Sequence, residues 1–454
     1  EFHGRVTWRE VRSLHLFPCR GGFVFSMLRG MKLTSLFALT LSLASLKAAG
    51  WPHFLGPDRD GTSAETDLFK KFPKDGPPIL WEAELHEGFG GAAVVGNEVF
   101  IVDRVMKEKD ILLCLDLATG KEKWHFENPS EGEPSFPGSR SVPTVEDDAV
   151  YFIGSFGQSF RINRKTHKPD WILDMHKRYP DAETPKWGYA QCALITGDIL
   201  ILTPFGTETG IVGIDKQTGK EVWKSGPVGN THSSPTMMNF GGQDQVVIIT
   251  TKGGIHSYDP KTGKKLWSSA LYENRIPITP PKQIDENRIF ATGGYDCGSK
   301  MLSIKKTGDS YELDTLWETK KGSQVHPAHL IDGHLYFLAN ENSNYKTKTK
   351  RAKGGLVCFD LDGKELWSTG NEPFMGRGSS IYADGMLIIQ DGEKGTLRLV
   401  GPSPKGFKLL AEANIFGSDL ENKKDLNYWS NLALSNGHLL MRGQDRLLCV
   451  QLKK

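Results

Sequence analysis

Asp215-Lys216-Gln217-Thr218-Gly219-Lys220-Glu221-Val222-Trp223 reads as the end of one strand, a tight turn and the start of the next strand. The residues before it, Ile211-Val212-Gly213-Ile214, form a short β-branched run suited to a buried strand. Asp215 can accept from backbone amides in the turn, and Gly219 supplies a position of positive φ. Trp223 anchors the following strand. The same pattern returns at Asp259-Pro260-Lys261-Thr262-Gly263-Lys264 with Trp267 and at Asp116-Leu117-Ala118-Thr119-Gly120-Lys121 with Trp124. One residue shorter, it recurs at Asp360-Leu361-Asp362-Gly363-Lys364 with Trp367.

The tryptophans count the units. Anchors fall at Trp81, Trp124, Trp171, Trp223, Trp267, Trp317 and Trp367, with a degenerate copy near Ala411, at spacings of 43 to 52 residues. A four-stranded propeller blade takes about 40–50 residues, and propellers have roughly 4–8 blades. Eight anchors predict an all-β, eight-bladed β-propeller; seven blades is the alternative, because the unit ending near Ala411 lacks both its Trp and its turn. The last unit stops at Lys454 without an outer strand, whereas Ile79-Leu80-Trp81-Glu82-Ala83 is an outer strand with no unit before it. Pairing the two closes the ring and removes both edges. The domain organisation that follows is an upstream tail and signal peptide over 1–50, an extended leader over 51–78 and the propeller over 79–454.

Met31-Lys32 followed by the Leu/Ser/Thr/Ala-rich stretch from Leu33 to Leu46 and the small residues Ala48-Ala49-Gly50 has the charged, apolar and small-residue regions of a secretory signal. The apolar stretch is short for a membrane span of about 20 residues. No transmembrane segment is expected after cleavage, and no Cys stands at the cleavage region to carry a lipid. The expected location is therefore periplasmic or secreted, as a soluble monomer. The first fifty residues hold seven of the 56 Lys/Arg and two of the 54 Asp/Glu, which leaves 49 basic and 52 acidic side chains, net −3. Nothing in that balance asks for nucleic acid.

Five cysteines remain: Cys114, Cys192, Cys297, Cys358 and Cys449. Cys114, Cys358 and Cys449 occupy one strand position in three units. Packed sheets lie about 10 Å apart and a disulfide needs Cα atoms within roughly 7 Å, so these read as small buried hydrophobes. No metal motif emerges: Asp360-Leu361-Asp362-Gly363 is the repeat turn, and His326 and His329, if on a strand, face opposite sides. The basic run Lys346 to Lys353 reads as a solvated hairpin tip.

The repeat resembles the pyrroloquinoline-quinone (PQQ) repeat, Ala-x-Asp-x-x-Thr-Gly-x-x-x-Trp, carried well at Asp116, Asp215, Asp259 and Asp360. The units ending at Trp171 and Trp317 keep the Trp and lose the glycine turn. The leader Trp51 to Gly61 is similar to that of exported PQQ-like propellers. The resemblance implies one of two functions. One branch is quinoprotein dehydrogenases of alcohols or sugars, with PQQ and calcium; the other is non-enzymatic scaffolds such as the propeller lipoprotein of the outer-membrane assembly machinery. The alcohol dehydrogenases carry adjacent cysteines and acidic calcium ligands, neither of which can be placed in this chain.

The expectation is thus an exported binding or assembly scaffold without intrinsic catalysis. The alternatives are a PQQ-dependent oxidoreductase and a carbohydrate- or peptide-binding module. Residues just before each inner strand should converge on one mouth of the central channel. They give Arg140, Tyr189, Gln191, His232, Gln324, His326, Arg377 and Trp429 as a candidate funnel site. Such a mouth is cationic and able to stack, suited to a protein or a small acidic or planar ligand. Alanine at Arg140 and Arg377 together is expected to weaken binding with little change in stability. Export itself has a direct readout: protein made in a secreting host should begin between Ala48 and Trp51 by mass spectrometry, and retention of Lys32 would contradict cleavage.

Overall fold

The structure, a computed structural model, describes residues 50–453 except 252, 341–353, 374 and 418–425. The signal-like segment and the Lys346–Lys353 run lie outside the described residues.

The chain forms eight antiparallel sheets in sequence order. The first seven blades occupy 93–132, 144–174, 194–225, 236–269, 282–319, 329–368 and 379–414. The eighth takes its three inner strands from Ala433–Ser435, His438–Arg442 and Arg446–Gln451 and its outer strand from Ile79–Glu84. Trp81 pairs with Cys449 across that junction, so the two ends of the chain share one sheet. The propeller has eight blades, and the degenerate unit is the seventh, with Ala411 on its outer strand Lys408–Asn414 opposite Leu399.

Every anchor lies on an outer strand, and the pairing registers show why a Trp recurs there. Trp124 opposes Cys114, Trp223 opposes Gly213, Trp267 opposes Ser257, and Trp367 opposes Cys358. The ladder shifts by one residue immediately afterwards in each case, a β-bulge that turns the indole toward the neighbouring blade. The residue beneath the indole is small in these four pairs. A Cβ at Gly213 would meet Trp223 Cε2 at 2.3 Å. That is the place of Cys114, Cys358 and Cys449, and all five described cysteines are free.

The indole then reaches the repeat turn of the next blade. Nε1 of Trp81 donates to Leu117 O (2.8 Å), of Trp171 to Lys216 O (3.0 Å), of Trp223 to Pro260 O (3.0 Å) and of Trp317 to Leu361 O (3.0 Å). Each acceptor directly follows the turn aspartate. That aspartate shapes the turn: Asp215 Oδ1 accepts from the Thr218 hydroxyl and amide, both at 2.7 Å, and these bonds hold its carboxyl below the usual carboxylate range. The turn glycine has a second duty beyond its φ of +70° at Gly263, because a Cβ there would sit 2.3 Å from Trp223 Cε3. Gly120, Gly219 and Gly363 bear the same relation to Trp81, Trp171 and Trp317.

Two blades vary the device. In the second, Asn163-Arg164-Lys165-Thr166-His167 replaces the Asp and Gly, yet Asn163 Oδ1 still accepts from the Thr166 amide (3.0 Å). His167 takes the glycine's place at φ 58° and stacks on Trp124 at 4.5 Å and 11°. The turn that looks lost in sequence is therefore kept in geometry. In the fifth, strands Gly298–Thr307 and Ser310–Thr319 outgrow the repeat. Trp267 of the preceding blade bonds Gln245 Oε1 in its own sheet instead (2.7 Å).

The leader does not run along the outside. Trp51 pairs with Val94 in the first blade, and Pro52 O accepts from Val145 N (2.8 Å) in the second. Arg59 donates to Ala193 O (3.1 Å) beside the third. Thr62–Ser63 then adds a parallel strand to the inner edge of the seventh blade, and Leu68 bridges Lys453 at the end of the eighth. The segment crosses the channel and ties opposite sides of the ring together.

The double duty of the turn glycine can be measured. Gly96 has φ +60° with nothing near its Cβ position, so Gly96→Ala should cost only the left-handed strain of about 1–2 kcal/mol. Gly263→Ala must also displace the Trp223 ring and should cost a further ~1–3 kcal/mol. Urea unfolding of the two variants checks this; equal losses would remove the packing role.

Candidate functional site

The inner strands are short, and the loops feeding them bring side chains to the channel axis. At that mouth lies a cavity of about 260 Å³. Five of the eight residues read from the sequence line it: Arg140, His232, Gln324, Arg377 and Trp429. Three do not. Tyr189 is buried in the blade core, donating to Glu183 O (3.1 Å) and stacked with Phe205 at 5.8 Å. Gln191 is buried and accepts from the Thr203 hydroxyl. His326 turns away from the mouth toward the leader, where its ring and that of His329 stand 5.4 Å apart against Gly61. The two histidines thus share one side rather than facing apart, because only His329 is in the strand His329–Ile331. Among the described residues, no three His, Cys, Asp or Glu side chains group as a metal site.

The wall that sequence reasoning missed is aromatic. Phe89 and Phe136 lie 5.5 Å apart, and Trp429 stacks on them at 5.5 and 6.0 Å. Arg140 lies 5.7 Å from both phenyl rings, and Arg377 covers Trp429 at 4.2 Å. Across the cavity Trp187 stacks on His232 at 4.8 Å and 19°. Phe54 of the leader supplies part of the floor. Phe89, Phe136 and Trp187 sit in connections between blades, outside any repeat position, so the repeat gave no signal for them.

The arginines have structural bonds as well. Arg140 donates to Gly138 O (2.7 Å) and Phe136 O (2.6 Å), and Arg377 Nε to Glu393 Oε1 (3.2 Å). Replacing both by alanine would therefore loosen the mouth as well as discharge it, contrary to the sequence-based expectation of unchanged stability. Glu393 answers the charge of Arg377, whereas among the described residues no ion pair with a carboxylate answers Arg140. Burial lowers the Arg140 pKa to about 10. Burial first, and then Arg140, lower His232 to about 4, so its imidazole is neutral at pH 7. Four polar atoms on this wall have no hydrogen-bond partner among the described residues: His232 Nδ1, Gln324 Oε1, Trp429 Nε1 and Asn431 Oδ1. The cavity thus combines an aromatic panel, one cation without a carboxylate partner among the described residues and four unsatisfied polar atoms. No carboxylate lines it.

Residues 73–179 and 193–369, more than half of the chain, match the family described as outer membrane protein assembly factor BamB. The chain belongs to that family. It is similar to the quinoprotein alcohol dehydrogenase PedH of Pseudomonas putida, 27% identical over 134 residues that make up 29% of this chain and 21% of that one. It therefore spans about a fifth of the length of that curated relative. Among solved structures, BamB from Moraxella catarrhalis superposes with a TM-score of 0.55 at 16% identity, covering 82% of this chain and 97% of that one. A europium-containing methanol dehydrogenase superposes with a TM-score of 0.57 at 14% identity, covering 87% and 89%. The quinohemoprotein alcohol dehydrogenase ADHIIG from Pseudomonas putida HK5 gives 0.57 at 11% identity, covering 89% and 80%. At these identities the structural likenesses speak for the propeller fold alone.

The buried histidines make stability pH-dependent. A folded pKa depressed below the unfolded value of about 6.5 means that the unfolded chain binds the proton first. Stability is then full above pH 6.5 and is lost as pH falls toward the folded pKa, about 4 for His232. His232→Gln removes that contribution. Between pH 6.5 and 4 its stability should fall less steeply than that of the unmodified chain, by up to about 1.4 kcal/mol per pH unit. Denaturant midpoints across that range are the check, and parallel slopes would refute the assignment.

Proposed function

We propose that the protein is an exported binding or assembly scaffold that engages its ligand or partner at the channel mouth and performs no chemistry there. The observation that carries this reading is the composition of the cavity wall. Aromatic faces, Arg140 and unsatisfied polar atoms supply recognition. No Asp or Glu lines the wall, and His232 is its only imidazole. The family match to an assembly factor supports the same reading. Export rests on the signal-like N-terminal segment, and no helix among the described residues is long and apolar enough to cross a membrane.

The quinoprotein alternative has one feature in its favour. Arg140 beside the stacked Phe89, Phe136 and Trp429 would suit a planar polycarboxylate such as PQQ. The calcium that accompanies PQQ in dehydrogenases needs oxygen ligands, several of them carboxylates. The cavity offers none from Asp or Glu. The residues fit the planar acid and do not fit the cation, so no reaction step is derived.

A dye-linked assay with PQQ and calcium on alcohols and sugars is expected to give no turnover above protein-free controls. Robust turnover that is lost in Arg140→Ala would replace the scaffold reading by the oxidoreductase one.

A further inference from the structure

A second cavity, of about 270 Å³, lies between the leader and the fourth, fifth and sixth blades. Leu55, Arg59 and Asp60 line it from the leader, and Thr236, Lys282 and Leu330 from the blades. Phe54 faces the first cavity and Leu55 the second, so the leader stands between them. We infer that this second cavity is a binding site for a small tetrahedral oxyanion of the phosphate type.

Two cations with unused donors face this cavity. Lys282 begins the inner strand Lys282–Asp285, where most blades place an apolar or hydroxyl residue. Its amine has no hydrogen bond or ion pair with any described residue, and burial lowers its pKa. Arg59 spends one N–H on Ala193 O and forms no ion pair with a carboxylate among the described residues. Burial lowers its pKa to about 10. The one acid on this wall, Asp60, uses Oδ1 to accept from Thr62 N (2.8 Å).

The other titratable groups facing this pair are His53 and Cys192 beside Arg59, and His326 and His329 beside Lys282. Burial depresses all three histidines and raises the thiol, so at neutral pH none of them adds charge. Two partly buried cations against one carboxylate leave the cavity short of an anion. A guanidinium fork and an ammonium are the donors that a phosphate oxygen set matches.

The test is calorimetry and thermal unfolding of the whole mature chain with sodium phosphate, against sodium chloride at matched ionic strength. Phosphate should bind saturably and raise Tm where chloride does not, and sulfate should compete. Lys282→Met and Arg59→Met should each weaken binding by about tenfold or more, while Lys282→Arg keeps most of it, as expected for a charge-assisted contact. No saturable phosphate binding by the unmodified chain would overturn the site. So would full binding by folded Lys282→Met, or loss of binding in Arg140→Met with Lys282→Met intact. Tighter binding of acetate than of phosphate would overturn the ligand class. If Lys282→Met does not fold, Arg59→Met and Lys282→Arg carry the comparison.

Discussion

The contact on which the ring depends is a tryptophan indole lying against the turn glycine of the next blade. It joins two demands that look separate in sequence. The turn requires positive φ, which glycine meets without strain, and the neighbouring indole requires an absent Cβ, which only glycine provides. The indole N–H then bonds a carbonyl of the same turn, so a buried polar atom is satisfied while roughly 150–250 Å² of aromatic surface is buried. Because the acceptor belongs to the following blade, each latch fixes a relation between blades. The latch from Trp81 to Leu117 O applies that relation across the closure and makes the eighth blade a neighbour of the first like any other pair.

Closure has a second, polar component. Arg442 is fully buried in the last blade, and its Nη1 donates to Gly90 O (2.9 Å) and Val102 O (3.0 Å) at the first. Its approach leaves no space at Gly88, where a Cβ would meet Nη2 at 2.0 Å. An arginine buried so completely is tolerable only with most of its donors used and a carboxylate near; here Nη1 and Nη2 are bonded, Nε is not, and Asp103 stands at 3.4 Å. Arg140 and Arg59 contrast with it. Both are partly buried, both donate to backbone carbonyls, and neither has an acidic partner among the described residues. The difference separates cations that hold the ring from cations that face the channel cavities.

How much of this was legible follows from what repeats. The blades, the closure and the small buried cysteines were readable because each copy of the turn obeys the same backbone and packing constraints. The second blade escaped because His167 meets the constraint by another route, a non-glycine residue at φ 58° whose ring replaces the close approach by stacking. The mouth was half legible. Position before an inner strand gave Arg140, His232, Gln324, Arg377 and Trp429, which line the cavity. It could not tell which side of that strand start a residue would take, and Tyr189, Gln191 and His326 went into the core or toward the leader. Phe89, Phe136 and Trp187 belong to connections of irregular length, whose path is set by tertiary packing.

The leader's path changes what the channel can be. Taken as an external tail it would leave an open tunnel, with one continuous electrostatic environment from end to end. Lying across the axis, with backbone bonds to the first, second, seventh and eighth blades, it divides the channel. The two compartments differ in chemistry. One is walled by aromatic rings and an arginine with no ion pair among the described residues; the other sets Pro327 and Leu330 beside two cations. A segment that carries no repeat and closes no blade thus sets the floor of both cavities, through Phe54 on one side and Arg59 on the other. Since Phe54 and Arg59 sit five residues apart on one short stretch, displacing the leader would alter both compartments together.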